Sequence, residues 1–505
     1  MSFPRTSGIL LHPTSLPGPF GIGDLGKEAH RFVDFLADAG LKLWQILPFC
    51  PTGYGNSPYQ GLSTFAGNPL LISPEQLVEN GFLEPSVLER VPPFPTSRVD
   101  FDAVISFKTD LLKKSFDFFE GKATPPARQD FEDFISHNAS WLEDFALFMA
   151  LRERQCLILW NQWDEDIRLR KPDALQYWRQ RLAPEISYHQ YQQWQFFKQW
   201  DELKEYCHER GIKLIGDVPI FVALDSAEVW SRPEMFFLDQ ECQPTVVAGV
   251  PPDYFSKTGQ LWGNPLYRWD AMKKDGYTWW VERLKAAHNL VDIIRLDHFR
   301  GFEKYWELPA DEKTAINGRW VPGPGADFFL TVKKALADLP IIAEDLGIIT
   351  PEVHSLRDQL DLPGMRVLQF AFGSPSGKDP YRPHNYPRHC VVYTGTHDNN
   401  TTIGWFREAE VTTKDKEAMI KERQRALKYL DTDGFEINWD FIRLALMSIA
   451  DTAIIPLQDV LGLGSEARMN TPGVTAGNWL WRFTWDMLTD SMQDRLKEMT
   501  EIYGR

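Results

Sequence analysis

Five acidic residues stand in the same kind of place along this chain, directly after a short apolar run. They are Asp217 in Gly216-Asp217-Val218-Pro219, Asp297 in Arg295-Leu296-Asp297-His298, Glu344 in Glu344-Asp345-Leu346-Gly347, Asp398 in Thr396-His397-Asp398, and Asp459 in Leu457-Gln458-Asp459. Any one of them alone would serve as a helix cap or a turn residue. Asp297, Glu344 and Asp398 gathered in one place would do chemistry. Clustered carboxylates repel one another and raise the pKa of at least one member, a cost tolerated where a function needs it. Such a cluster could hold a metal or cleave a glycoside. His298 and His397 could join a metal site, whereas Arg295, two positions before Asp297, opposes a divalent cation there. Glycoside chemistry needs one protonated acid and one ionised carboxylate across the scissile bond. The longer Glu344 suits the acid, and the short Asp297, held ionised by Arg295, suits the attack. Asp398 would be a third negative group, raising Glu344 and supporting positive charge at the anomeric carbon.

Only a fold can gather these groups, because 47 positions separate Asp297 from Glu344 and 54 separate Glu344 from Asp398. Aliphatic or β-branched runs at 8–11, 41–47, 212–215, 291–296, 341–343, 365–370, 391–393 and 453–456 alternate with helical patterns. Eight such runs predict an α/β protein, a (β/α)8 TIM barrel, whose active site sits where the strands exit. A doubly wound open sheet is the alternative that periodicity does not exclude. The spacing is uneven. One catalytic barrel spanning 1–505 is expected to carry a mainly helical insertion at 65–205, between strands two and three. A smaller insertion is expected at 236–270. In the larger one Tyr188, Tyr191, Trp194, Phe197 and Trp200 recur at helical spacing and are expected in the core, whereas Trp262 sits in a polar turn, where a flat indole could stack on a sugar face.

Composition removes other classes. The 505 residues carry 54 basic and 70 acidic side chains, a net charge of -16, and no basic patch, which argues against nucleic acid as a partner. No apolar run is long enough to span a membrane, and the start, Met1-Ser2-Phe3-Pro4-Arg5, does not look like a secretion leader. Five widely spaced cysteines without a C-x-x-C pair fit reduced thiols and a cytoplasmic setting. Gly21-Ile22-Gly23-Asp24-Leu25-Gly26 matches a dinucleotide fingerprint, but Pro17-Gly18-Pro19-Phe20 precedes it where a strand should, so no cofactor is expected. Asp431-Thr432-Asp433-Gly434 lacks the further ligands of a calcium loop, so no metal is expected.

The chain resembles the amylomaltases, or disproportionating enzymes, 4-α-glucanotransferases of the α-amylase clan. The likeness runs through Trp44-Gln45-Ile46-Leu47-Pro48, Asn56-Ser57-Pro58-Tyr59, Ala66-Gly67-Asn68-Pro69 and Ala248-Gly249-Val250-Pro251-Pro252-Asp253-Tyr254-Phe255. It continues through Gly259-Gln260-Leu261-Trp262-Gly263-Asn264-Pro265, Arg295-Leu296-Asp297-His298-Phe299-Arg300-Gly301, Gly395-Thr396-His397-Asp398-Asn399 and Met469-Asn470-Thr471-Pro472-Gly473. The resemblance implies Asp297 as nucleophile, Glu344 as acid/base and Asp398 as transition-state stabiliser. It implies a substrate-binding set of Tyr59, Ser57, Asp217, Trp262, Asn264, Arg295, His298, Phe370, His397 and Asn470, with Trp262 on a loop that covers the site. Tyr54 would mark a second glucan site. The family has no separate C-terminal β-domain. The implied activity moves α-1,4-glucan segments between maltooligosaccharides, amylose, or starch- or glycogen-type glucans and acceptors such as maltose or glucose, by retaining double displacement. A hydrolase of the same clan and an inactive glucan-binding protein are the alternatives.

Overall fold

The computed structural model describes residues 3–252, 256–411 and 416–505. Met1 and Ser2, and the Asp253-Tyr254-Phe255 end of one family-like motif, lie outside the described residues. Twelve strands follow one another among those described: β1 (Thr6–Leu10), β2 (Leu43–Gln45), β3 (Lys213–Val218), β4 (Val246–Val250), β5 (Gln260–Pro265), β6 (Ile293–Leu296), β7 (Lys304–Pro309), β8 (Arg319–Pro322), β9 (Ile341–Ala343), β10 (Gly364–Val367), β11 (Cys390–Tyr393) and β12 (Thr452–Pro456).

Eight of them form one parallel sheet in the order β10-β11-β12-β1-β2-β3-β6-β9. The seam between β9 and β10 is bridged where Ala343 N donates to the carbonyl of Pro363 at 2.9 Å. This nearly closed ring is the expected barrel, not an open doubly wound sheet. Its strands are buried almost throughout, which is why they are short continuous apolar runs and not alternating ones. Three expected runs are shorter in the structure, the fourth because it begins only at Ile293. Only Leu43–Gln45 of the second pairs with both neighbours, and the sixth leaves the sheet after Val367 into the 3-10 turn Leu368–Phe372.

Between β2 and β3 the chain makes seven helices, from Pro74–Glu79 to the 27-residue Ala183–Glu209. Asp100 caps Phe101–Lys122 by accepting from Ala103 N, and Thr124 caps Pro125–His137 in the same way. Tyr191 and Trp194 of the long helix pack against Phe119 and Phe131, and Trp200 meets Phe49 edge-on at 4.4 Å. Tyr188, Tyr191, Trp194 and Trp200 are buried and Phe197 half-buried, so this aromatic stripe is core.

The sequence did not reveal a second sheet, antiparallel, in the order β5-β4-β7-β8. It lies partly within 236–270 and partly after β6. Among the described residues no helix is long and apolar enough to cross a membrane.

Candidate active site

The strand register places the first group. Asp217 of β3 is paired directly with Arg295 of β6, so their side chains share one layer of the barrel. Arg295 Nη1 donates both to Asp217 Oδ2 and, at 2.9 Å, to Asp297 Oδ1. Tyr59, on the loop after β2, donates its hydroxyl to the same Asp217 Oδ2 at 2.7 Å. Burial alone would lower the Arg295 pKa, but Asp217 and Asp297 outweigh it and hold the guanidinium well above its ordinary value. Asp217 itself is pushed upward by burial, against the pull of Arg295. Its second oxygen, Oδ1, is buried and has no hydrogen-bond partner among the described residues.

One step past the strand ends stand Asp297 and Glu344. Their backbones are pinned to the barrel, since Asp297 N donates to Val218 O and Glu344 N to Leu296 O. The Glu344 carboxyl is gripped at both oxygens. His298 N donates to Oε2 at 2.7 Å and Leu346 N to Oε1 at 2.8 Å. His298 takes a left-handed conformation, φ 52°, uncommon for a residue other than glycine. Burial drives the Glu344 pKa up, Arg295 opposes, Asp297 adds to the rise, and the two N–H donors oppose again; the result is about 8. Burial lowers His298 to about 4, so its ring is neutral near pH 7. Its Nε2 is buried without a hydrogen-bond partner among the described residues.

Asp398 completes the acidic rim from the loop after β11. Asn470 Nδ2 donates to its Oδ1 at 2.6 Å, and Arg468 Nη2 to its backbone carbonyl at 2.6 Å. His397 stacks on Tyr59 with ring centroids 5.1 Å apart and planes 15° apart, and Trp479 leans on both rings. Arg468 and Trp479 were not among the site residues expected from sequence. Each supports an anticipated residue from a segment about 70 to 80 positions away, and no local pattern reports such a contact.

Trp262, on β5, meets His298 edge-on at 4.9 Å, and its indole N–H donates to Gln260 Oε1. Asn264 is buried; its amide donates to Val222 O and its carbonyl accepts from Gln60. Ser57 Oγ accepts from Tyr59 N and shapes the turn that carries Tyr59. Phe370 lies in the 3-10 turn after β10, against Tyr381. Tyr54 is 78% exposed, apart from this cluster of contacts. Two other strand-exit carboxylates hold the barrel together. Asp345 accepts from Arg357 and from Met365 N, and Asp459 from Thr394 and twice from Thr402. The Gly21–Gly26 stretch precedes the helix Lys27–Asp38 as irregular chain, with Asp24 accepting from Gly26 N. Among the described residues no group of three or more His, Cys, Asp or Glu side chains is placed to hold a metal ion.

A buried arginine fixing one carboxylate, beside a second carboxyl that keeps its proton near pH 7, is an arrangement suited to acid-assisted displacement at an acetal carbon. Comparison with known proteins agrees. A family model described as 4-alpha-glucanotransferase matches residues 11–489. The chain is 53% identical over 505 residues to the 4-alpha-glucanotransferase of Synechocystis sp., covering 99% of this chain and 98% of that one. It is 50% identical over 513 residues to the Thermus thermophilus 4-alpha-glucanotransferase, covering 100% of both. The solved structure of the Streptococcus agalactiae amylomaltase in complex with acarbose superposes with a TM-score of 0.94 at 40% identity, over 99% of each chain. The chain belongs to the 4-alpha-glucanotransferase family, the amylomaltases, and is a glucan-transferring enzyme on a TIM barrel.

Proposed function

We propose that Asp297 is the nucleophile of a retaining double displacement, with Glu344 as acid/base and Asp398 as stabiliser of the transition state. Asp297 Oδ attacks C1 of the donor glucosyl unit while Glu344 gives its proton to the departing 4-oxygen. The C1–O bond to the leaving glucan breaks and a C1–carboxylate ester forms. Glu344, now ionised, takes the proton of an acceptor 4-hydroxyl. That oxygen attacks C1, and the ester bond to Asp297 breaks.

The observation that carries the reading is the contrast between the two carboxyls. Glu344 is raised to about 8, while Asp297 receives the Arg295 guanidinium at 2.9 Å. One carboxyl is therefore an acid near pH 7, while the other is paired with a cation that fixes it for attack. The buried unpartnered atoms Asp217 Oδ1 and His298 Nε2 suit sugar hydroxyls, which can donate to one and pair with the other. Tyr59, Arg295, His397 and Asn470 frame the same glucose, and Ser57, Asn264 and Phe370 line its approach. Trp262 stacks on the acceptor sugar and helps keep water from the ester. The donors are maltooligosaccharides, amylose, and starch- or glycogen-type glucans; the acceptors include maltose and glucose. Tyr54 belongs to a second glucan site on the surface. The residues at 65–205 and 236–270 are insertions on one catalytic barrel. Five free cysteines support a reducing, cytoplasmic setting.

Incubation with maltotriose tests the reading. The expected result is a ladder of shorter and longer glucans with the total of reducing ends unchanged. A rise in reducing ends with only glucose and maltose as products would overturn it in favour of hydrolysis.

A further inference from the structure

The antiparallel sheet is anchored to the barrel rim at both of its edges. At the β5 edge, Trp262 lies against His298, and Asn264 donates to Val222 O at 2.9 Å. At the β8 edge the anchor is Arg300, three residues after Asp297. Its guanidinium carbon lies over Trp320 of β8, 3.8 Å from the ring centroid, and its Nη1 donates to the carbonyl of Ile348. Ile348 belongs to the loop that follows Glu344, the loop whose Leu346 N–H grips the Glu344 carboxyl. Arg300 is buried and opens the short helix Arg300–Glu303, which runs straight into β7. The end of β8 presses on the same turn. Gly323 N donates to Glu303 O at 2.7 Å, and a Cβ at Gly323 would lie 2.5 Å from the carbonyl oxygens of Gly301 and Phe302. Only glycine allows that approach. Trp320 also packs on Trp306 of β7, so the stack on Arg300 is passed into the sheet.

We propose that Arg300 is a specificity-determining positioning residue. By clamping Trp320 to the Glu344 loop, it fixes the sheet so that Trp262 stays on the catalytic turn and the glycosyl-enzyme meets an acceptor sugar before it meets water. The proposal rests on the reading of Trp262 given above. A planar guanidinium is suited to this task, because it can stack on an indole and donate in its own plane at the same time.

The test compares transfer with hydrolysis, using maltotriose as donor, in Arg300→Met, Trp320→Leu, the double variant, Arg300→Lys and Trp262→Ala. Loss of the clamp raises the hydrolysis-to-transfer ratio about threefold to tenfold in each of the first two, the range expected of a partly desolvated cation–π contact. The double variant goes no further than either single one, and Arg300→Lys falls between wild type and Arg300→Met. If Arg300→Met fails to fold, Trp320→Leu, on the half-buried outer strand, carries the same test. An unchanged ratio in both single variants, beside a raised ratio in Trp262→Ala, overturns the clamp alone. An unchanged ratio in Trp262→Ala as well overturns the underlying reading of Trp262. Additive effects in the double variant overturn the clamp, because they show two independent contacts.

Discussion

The carboxyl of Glu344 is held by the peptide that follows Asp297: His298 N donates to Glu344 Oε2 at 2.7 Å. The acid and the nucleophile are thus fixed to one another through a single peptide unit, although 47 positions separate them in sequence. His298 itself adopts a left-handed φ of 52°, so the chain turns sharply just after this peptide. Strain at such a site is offset by the barrel pairing on either side.

The elevated acid sets an alkaline limit. Glu344 must carry its proton for the first step, and its pKa stands near 8, raised by burial and by Asp297. The rate constant kcat/KM on a glucan donor is expected to be level with respect to Glu344 below that value and to fall about tenfold per pH unit above it. A glycosyl fluoride, whose leaving group needs little protonation, should lose this limb in the first step. A glucan profile that stays flat to about pH 10, or one that falls from about pH 5, would show that Glu344 is not the acid.

Arg295 bears on stability as well as activity. It is buried between two carboxylates, so Arg295→Met leaves Asp217 and Asp297 without their cation. A loss of about 3–5 kcal/mol is expected, with activity close to background. Arg295→Lys keeps the charge but loses the fork and should fall between. Thermal unfolding with parallel assays checks this. A Met variant as stable as wild type would remove the ion-pair account.

Trp262→Ala should lower transfer to maltose or glucose more than it lowers donor cleavage. Each ~1.4 kcal/mol of acceptor binding lost shifts the balance toward water about tenfold. Equal losses in both reactions would mean that the indole positions the donor instead.

Metal removal should matter little. Arg295 occupies the place beside Asp297 where a cation would sit. Thorough chelation is expected to leave activity within about twofold. Loss on chelation, with recovery on adding back one cation, would contradict this.

Much of the fold was legible because buried parallel strands are continuous apolar runs. The ends of β6, β9 and β11 could be located, and with them Asp297, Glu344 and Asp398. The antiparallel sheet was not legible. Lys304–Pro309 and Arg319–Pro322 mix charge, aromatics and proline, both are half-exposed in part, and β4 carries a register shift between Val247 and Gly249. None of these strands shows a clean alternation. Among the carboxylates, side-chain length pointed to Glu344 as the acid, but only the folded chain shows that Asp345 and Asp459 stabilise the barrel through Arg357, Thr394 and Thr402. Neighbours such as Arg468 and Trp479 come from distant segments, so only the folded chain brings them to the site.

Double displacement is tested most directly by trapping the ester. In Glu344→Gln, a glycosyl fluoride can form the intermediate with little acid assistance, and its breakdown lacks a base. Mass spectrometry of the digested protein should find a glycosyl adduct on the peptide carrying Asp297. The adduct should be absent from Asp297→Asn and discharged by an anionic nucleophile such as azide with retained anomeric configuration. An adduct on another residue, or an Asp297→Asn variant that still transfers glucan at near wild-type rate, would contradict the assignment.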